Sequence, residues 1–167
     1  AGHAISVRHR EQQPREMRIV TWNVAGGRRS AQAPSRYSDA DQRAAVVAEV
    51  LRWKQAFACD IIALQECEGC AAYRELEETH VLVGAVEARE SRGFVQVYVR
   101  CGMSCDRLQV EGSHPCVVVR VGRAEALAES FVVAAVHLPT DAANAGVRER
   151  VLRQVLATCG DQDKLLI

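Results

Sequence analysis

Residues 60–66 of this chain read DIIALQE, a short apolar run that ends in two polar residues. The run is nearly continuous in apolar residues and does not alternate between apolar and polar ones. This pattern is typical of a central strand that is buried on both faces of a sheet. Glu66 is therefore expected to emerge at the C-terminal end of that strand.

The segments on either side of this strand predict further strands and several helices. Residues 17–24 (MRIVTWNV) alternate and are rich in β-formers, which predicts the first strand. Other strands are predicted over residues 81–86, 94–100, 116–121, 131–137 and 164–167. Helices are predicted over residues 42–54, 71–78 and 142–158, and a short helical or turn segment over residues 122–130. The chain is thus predicted to be of the mixed α/β (α+β) class.

Composition supports one domain with an aliphatic core. The 167 residues include 49% hydrophobic residues but only 5% aromatic ones, so the core is expected to consist mainly of Val, Leu, Ile and Ala. Such a core suits strands covered by helices. The 21 basic and 21 acidic residues cancel, which argues against a protein that grips nucleic acid through a global positive charge, although not against a local basic patch.

The expected cellular context follows from what the sequence lacks. No apolar run approaches the roughly 20 residues that span a bilayer, and the N-terminus has no apolar core of a secretory signal. The seven cysteines are an odd number, which favours mostly reduced thiols over a disulfide framework. A soluble intracellular protein is expected, with residues 1–16 as a flexible polar arm.

Polar residues stand at the C-terminal ends of three predicted strands: Asn23 in TWNV, Glu66 in IIALQE and His137 in VVAAVHL. Ligands and catalytic groups collect at such strand ends, because the scaffold is rigid and the end is open to solvent. Each residue also has a simpler interpretation. Asn23 could form a turn, Glu66 could be a solvated strand end, and His137 could be a hydrogen-bonded structural histidine.

The ordered strings RIVTWNV, DIIALQE and VVAAVHL, followed by a helix with RERVLRQVL, resemble the opening half of the endonuclease/exonuclease/phosphatase superfamily. The resemblance covers residues 17–167 and rests most strongly on IIALQE. It implies an incomplete four-layer α/β/β/α sandwich of the deoxyribonuclease I-like type. It also implies a metal-dependent phosphoester hydrolase, a phosphodiesterase, nuclease or phosphatase, that uses Mg²⁺ or Mn²⁺.

The same resemblance implies roles for the three strand-end residues. Glu66 matches the metal ligand, since a carboxylate suits a hard divalent cation. Asn23 would orient the metal site or hydrogen-bond the phosphate, so it is a candidate for both metal binding and catalysis. His137 would donate a hydrogen bond or proton at the reacting phosphate. The phosphoester substrate stays open among nucleic acid and inositol or lipid phosphates.

The sequence departs from the family pattern after its last predicted strand. Family members continue from a strand like KLLI into a GDFN-type motif and later carry an SDH motif, and this sequence has neither. Residues 17–167 are therefore expected to be the N-terminal portion of such a domain, truncated at its C-terminus and catalytically inert alone. The alternative is a non-catalytic binding or scaffold module, or an incomplete gene product, of the same family.

Two weaker patterns have competing interpretations. Cys67 and Cys70, with Cys101 and Cys105, have a spacing that could bind structural zinc, but buried free thiols are the simpler interpretation. Arginines after the first strand and on the last helix could approach phosphates, although a solvated face is favoured for them. These arginines are Arg28, Arg29, Arg148, Arg150 and Arg153.

Overall fold

A computed structural model describes residues 17–24, 39–88, 93–112, 115–123, 126–138, 144–159 and 165–166, so the predicted arm over residues 1–16 lies outside the described residues. The strands are β1 Ile19–Asn23, β2 Ile61–Cys67, β3 His80–Ala88, β4 Gly93–Arg100, β5 Met103–Leu108, β6 Cys116–Arg123, β7 Ala126–Val136 and β8 Leu165–Leu166. The helices are α1 Asp39–Phe57, a 3-10 helix Cys70–Glu78 and α2 Ala145–Cys159. None of these helices is long and apolar enough to cross a bilayer.

The strands form two four-stranded sheets. The first sheet has the order β1-β2-β4-β3, in which β1 and β2 are parallel and the other neighbours are antiparallel. The second has the order β5-β6-β7-β8, in which β7 and β8 are parallel and the rest antiparallel. Strand β2, which contains the apolar run, therefore has a neighbour on each side, as a central strand must.

Buried side chains divide into three layers of packing. Residues between the two sheets form the largest cluster: Ile61, Ala63, Val95, Val97, Val99, Val117, Val119, Val121, Val133 and Ala135. A second cluster joins the outer face of the first sheet to α1 and the 3-10 helix, and a third joins the outer face of the second sheet to α2. The order of layers is α/β/β/α, which confirms the predicted fold class and the aliphatic core.

The predicted elements were correct where the hydrophobic pattern was strong and wrong in one segment. Residues 61–64 are buried, as predicted for a central strand. The helical or turn interpretation of residues 122–130 is wrong, because residues 126–130 belong to β7, whose first residue, Ala126, pairs with Arg123 of β6. Strand β5 had no prediction, since the sequence MSCDRL alternates poorly. In residues 126–130, incorporation into a β-strand overrode the local preference for helix.

Ala58, which directly follows α1, has a φ of 44°, in the left-handed region that side chains with a Cβ rarely adopt. Helices commonly end with glycine in this conformation. Ala58→Gly is therefore expected to raise the free energy of unfolding by about 1 kcal/mol. Urea denaturation measures this as a higher midpoint. Ala56→Gly, inside the same helix, is the control and should lower the midpoint, and equal shifts for both variants would contradict the argument.

Candidate functional site

The three strand-end residues lie together at one edge of the sandwich. Asn23 is the last residue of β1, Glu66 lies near the end of β2, and His137 directly follows β7. The Asn23 amide Nδ2 donates to Glu66 Oε1 at 3.1 Å. The His137 ring atom Nδ1 lies 3.4 Å from the same oxygen. The structure thus brings all three predicted residues into contact, with two from the first sheet and one from the second.

Parallel pairing of β1 with β2 places Asn23 beside the end of β2. Asn23 pairs with Gln65 in the register of these strands, and parallel strands end at the same edge. The pairing is reinforced by side chains, since Gln65 Nε2 donates to Thr21 Oγ1 at 3.0 Å. On the second sheet, the backbone N–H of His137 donates to the carbonyl of Pro115 at 3.0 Å. Backbone contacts therefore anchor the site from both sheets.

A β-bulge interrupts β2 at Glu66. Leu64 pairs with Gln96 of β4, whereas Cys67 pairs with Phe94, so two residues of β2 face a single residue of β4. An extra residue of this kind bends the strand and changes which face the following side chains occupy. The bulge therefore sets the direction of Glu66.

The direction follows from the alternation of the neighbouring side chains. Ile62 and Leu64 pack on the outer, helix-covered face of the sheet, and regular alternation would place Glu66 on that face too. Glu66 instead has a φ of 50° and reaches His137 of the second sheet. A left-handed residue with a Cβ costs roughly 1–2 kcal/mol. Such strain clusters at functional positions, which supports a functional interpretation of Glu66.

The site is half-buried and chemically suited to a hard divalent cation. The Glu66 side chain is 22% exposed and that of His137 14%, so a ligand can reach both. Both contacts use Oε1 of Glu66, and neither engages Oε2. Mg²⁺ is commonly held by one or two carboxylates together with waters and substrate phosphates. The donor set fits that pattern, although no cluster of three or more His, Cys, Asp or Glu residues occurs in the described part of the chain.

Gln96 supports the loop beyond Glu66, and the sequence did not predict this. Its fully buried amide Nε2 donates to the carbonyl of Glu68 at 2.8 Å, and its Oε1 accepts from the hydroxyl of Tyr98 at 2.7 Å. Tyr98 is buried in the core, and burial raises the pKa of its hydroxyl. A polar residue in an alternating strand carries no signal that distinguishes such a buried link from a solvated position.

The two cysteine pairs lie too far apart to share a zinc ion. Cys67 pairs with Phe94 near the start of β4, whereas Cys101 follows the last residue of that strand. The length of β4 separates them by roughly 20 Å at normal strand rise. Cys67 is buried and its thiol donates to the carbonyl of Phe94. A shared zinc site, considered from the spacing, is therefore wrong.

Cys67 and Cys70 are expected to differ in reactivity. Burial raises the pKa of the Cys67 thiol to about 12, whereas Cys70 is exposed. Because the thiolate is the reactive form, iodoacetamide at pH 8 should modify Cys70 at least about 100-fold faster than Cys67 in the native protein. Peptide mass spectrometry over a time course measures both rates. Unfolding in urea should equalise them, and comparable native rates would contradict the burial argument.

One arginine of α2, Arg153, forms a solvent-exposed ion pair with Glu149. Arg153 lies 2.6 Å from Glu149, with both side chains more than half exposed at 77% and 63%. This supports the predicted solvated face for Arg153. Arg28 and Arg29 lie outside the described residues.

Two helix-covered sheets with polar residues gathered at their strand ends define a mixed α+β protein with a fold similar to that of deoxyribonuclease I. Among solved structures, the chain is similar to humanized D. rerio TDP2 with 14 mutations, at a TM-score of 0.57 and 15% identity. TDP2 is a member of the endonuclease/exonuclease/phosphatase superfamily. The match covers 87% of this chain and 60% of the TDP2 chain.

Two other comparisons found no relatives. No family model matches the chain, and no curated protein matches it. The likeness to TDP2, at its low identity, shows the fold alone.

Proposed function

We propose that this chain belongs to the endonuclease/exonuclease/phosphatase superfamily and carries the metal- and phosphate-binding part of a phosphoester hydrolase site. The observation that carries the proposal is the meeting of Asn23, Glu66 and His137 from three strands of two sheets. The three sequence strings and the fold similarity to TDP2, which is a phosphodiesterase, support it. The proposed substrate is a phosphoester of nucleic acid, inositol or lipid.

Glu66 is the proposed metal ligand, through the carboxylate oxygen that Asn23 and His137 do not contact. Asn23 donates to Oε1 and so restrains the carboxylate, and Oε2 is the oxygen proposed for the cation. Restraint of a ligating carboxylate by a hydrogen bond is common around metal sites. When bound, Mg²⁺ or Mn²⁺ would polarise a phosphoryl oxygen as a Lewis acid.

His137 is the proposed phosphate-binding group. Its Nδ1 faces the Glu66 carboxylate, so Nε2 lies on the opposite side of the ring and points away from that carboxylate. In the imidazolium form both ring nitrogens donate hydrogen bonds. Glu66 then holds the ring through Nδ1 while Nε2 donates to a phosphate oxygen, where charge develops during phosphoester cleavage.

The test is thermodynamic linkage between Mn²⁺ and a phosphate mimic on the full chain. Phenylphosphonate is expected to tighten Mn²⁺ binding, measured by electron paramagnetic resonance, and Mn²⁺ should tighten phenylphosphonate binding by the same factor. His137→Gln should keep Mn²⁺ binding but lose most of the tightening. Absence of a saturable Mn²⁺ site, or equal tightening in His137→Gln, would count against the proposal.

A non-catalytic binding module is the second candidate, and one observation favours it. Among the described residues, Glu66 is the one carboxylate in an ion pair with His137. Phosphoester hydrolysis by water needs a general base in addition to a metal ligand. Turnover of bis(4-nitrophenyl) phosphate that Glu66→Gln abolishes would establish the enzyme. Mn²⁺ and phenylphosphonate binding without turnover would establish the module.

A further inference from the structure

We infer that Gly93, the first residue of β4, is a positioning residue that allows Glu66 to hold its left-handed conformation and its contacts with Asn23 and His137. The inference rests on the proposed metal-binding role of Glu66. Gly93 acts on the site through the backbone of Glu66, which it approaches closely.

The basis is the close approach of the two backbones. A Cβ added at Gly93 would lie 2.8 Å from both the Cα and the carbonyl carbon of Glu66, and 3.1 Å from its carbonyl oxygen. These distances are well inside van der Waals contact, which begins near 3.5 Å for carbon atoms. The atoms that would be met are backbone atoms, so they cannot rotate away as the end of a flexible side chain can. Glycine alone fits at residue 93 while Glu66 stays where it is.

The consequence for the site follows from the bulge. If a side chain at residue 93 displaces the backbone of Glu66, the easiest relaxation is toward an extended conformation, because the left-handed one is already strained. An extended Glu66 would follow the regular alternation and turn toward the outer face, where Ile62 and Leu64 pack. The carboxylate would then leave its position beside His137. Gly93 is therefore needed for the geometry of the site and not only for pairing of the strands.

The test compares Gly93→Ala with Gly69→Ala in the full chain. Gly69 lies three residues from Glu66 in the sequence, and a Cβ there would meet only the Phe94 ring at 3.7 Å, an ordinary contact. Backbone ¹³C chemical shifts should report a left-handed residue 66 in the unmodified chain and in Gly69→Ala, but not in Gly93→Ala. The dissociation constant for Mn²⁺ should rise at least about tenfold in Gly93→Ala alone, as expected for loss of a supporting group. Adding Glu66→Gln to Gly93→Ala should raise it little further.

The outcomes separate this inference from the proposed function. Retention of the left-handed shifts and of full Mn²⁺ affinity in Gly93→Ala would overturn the inference. If the unmodified chain binds no Mn²⁺, or Glu66→Gln does not weaken binding, the proposed function fails, and the ¹³C shifts still decide whether Gly93 controls residue 66.

A second variant covers the case in which Gly93→Ala does not fold. Glu66→Gly gives residue 66 a backbone that relaxes without strain in many conformations. Combining Glu66→Gly with Gly93→Ala should then restore the folded circular dichroism spectrum, because a glycine backbone at residue 66 can move its Cα and carbonyl away from the new Cβ. Failure of the double variant to fold would overturn the inference, since the role of Gly93 would not run through the conformation of Glu66.

Discussion

Glu66→Gln is expected to weaken Mn²⁺ binding to the full chain by about 100-fold, since the loss of even an outer-shell partner of a metal ligand costs about 10- to 100-fold. The substitution keeps the shape of the side chain but removes the negative charge, and hard divalent cations prefer charged oxygen ligands. The Asn23 amide can still donate to the remaining carbonyl oxygen, so the geometry is largely preserved. Titration followed by electron paramagnetic resonance of free Mn²⁺ measures the change.

Glu87→Gln is the matched control for this loss of charge. Glu87 is an exposed residue of β3 that pairs with Phe94, and Phe94 also pairs with Cys67, so it lies at the same end of the first sheet as Glu66. It should change the Mn²⁺ affinity by no more than a few-fold, through a screened surface charge. Equal weakening by Glu66→Gln and Glu87→Gln would indicate diffuse attraction to an acidic surface and no defined site.

Arg100→Leu is expected to lower the free energy of unfolding by about 3 kcal/mol. The guanidinium donates to the backbone carbonyls of Ala58 and Cys59 and lies 3.1 Å from the Asp60 carboxylate. The Asp60 side chain is only 10% exposed and also accepts from the Arg18 backbone N–H, so removal of Arg100 takes the positive charge away from a poorly solvated carboxylate. The Ala58 and Cys59 carbonyls also lose the hydrogen bonds from Arg100, although the Cys59 carbonyl keeps its contact with His80 Nε2. Urea denaturation followed by circular dichroism measures the loss.

Two controls give this prediction its specificity. Arg52→Leu removes an arginine whose pair with Glu49 is exposed, and it should change the unfolding free energy by less than about 1 kcal/mol. Arg100 also lies at the end of β4 opposite Gly93, so the folded Arg100→Leu variant should bind Mn²⁺ as tightly as the unmodified chain. A large fall in Mn²⁺ affinity, or equal destabilisation by both leucine variants, would contradict the structural account.

The sequence predicted structure well where a strand is buried on both faces or where a local pattern marks its end. The apolar run in DIIALQE predicted a central strand correctly, because a strand that is buried on both faces is apolar at nearly every position. The positions of Asn23, Glu66 and His137 at strand ends were also predictable, since each followed an apolar or alternating run. Their functional roles stay predictions. Residues 126–130 were mispredicted, because the AEALAES segment consists mostly of residues that favour a helix. Their place in β7 depends instead on the pairing of β7 with β6, which the local sequence does not reveal.

The bulge at Glu66 and the need for glycine at residue 93 were beyond the reach of sequence patterns. Both depend on how β2 and β4 pair, and these strands are separated by a helix and another strand in the chain. A regular alternation applied to β2 would have placed Glu66 on the wrong face. The contact of Glu66 with His137 depends on that one irregularity, which arises only from tertiary pairing.

The position of the site between the two sheets also bears on how the domain holds together. Glu66 belongs to the first sheet and His137 follows a strand of the second. An ion or phosphate held by both residues would therefore link the two sheets non-covalently. Ligand that binds only the assembled sandwich adds its binding free energy to the docking of the sheets. Separation of the two sheets, measured by amide hydrogen exchange in β2 and β7, should therefore slow as ligand saturates the site. The same three residues would then govern the lifetime of the closed sandwich.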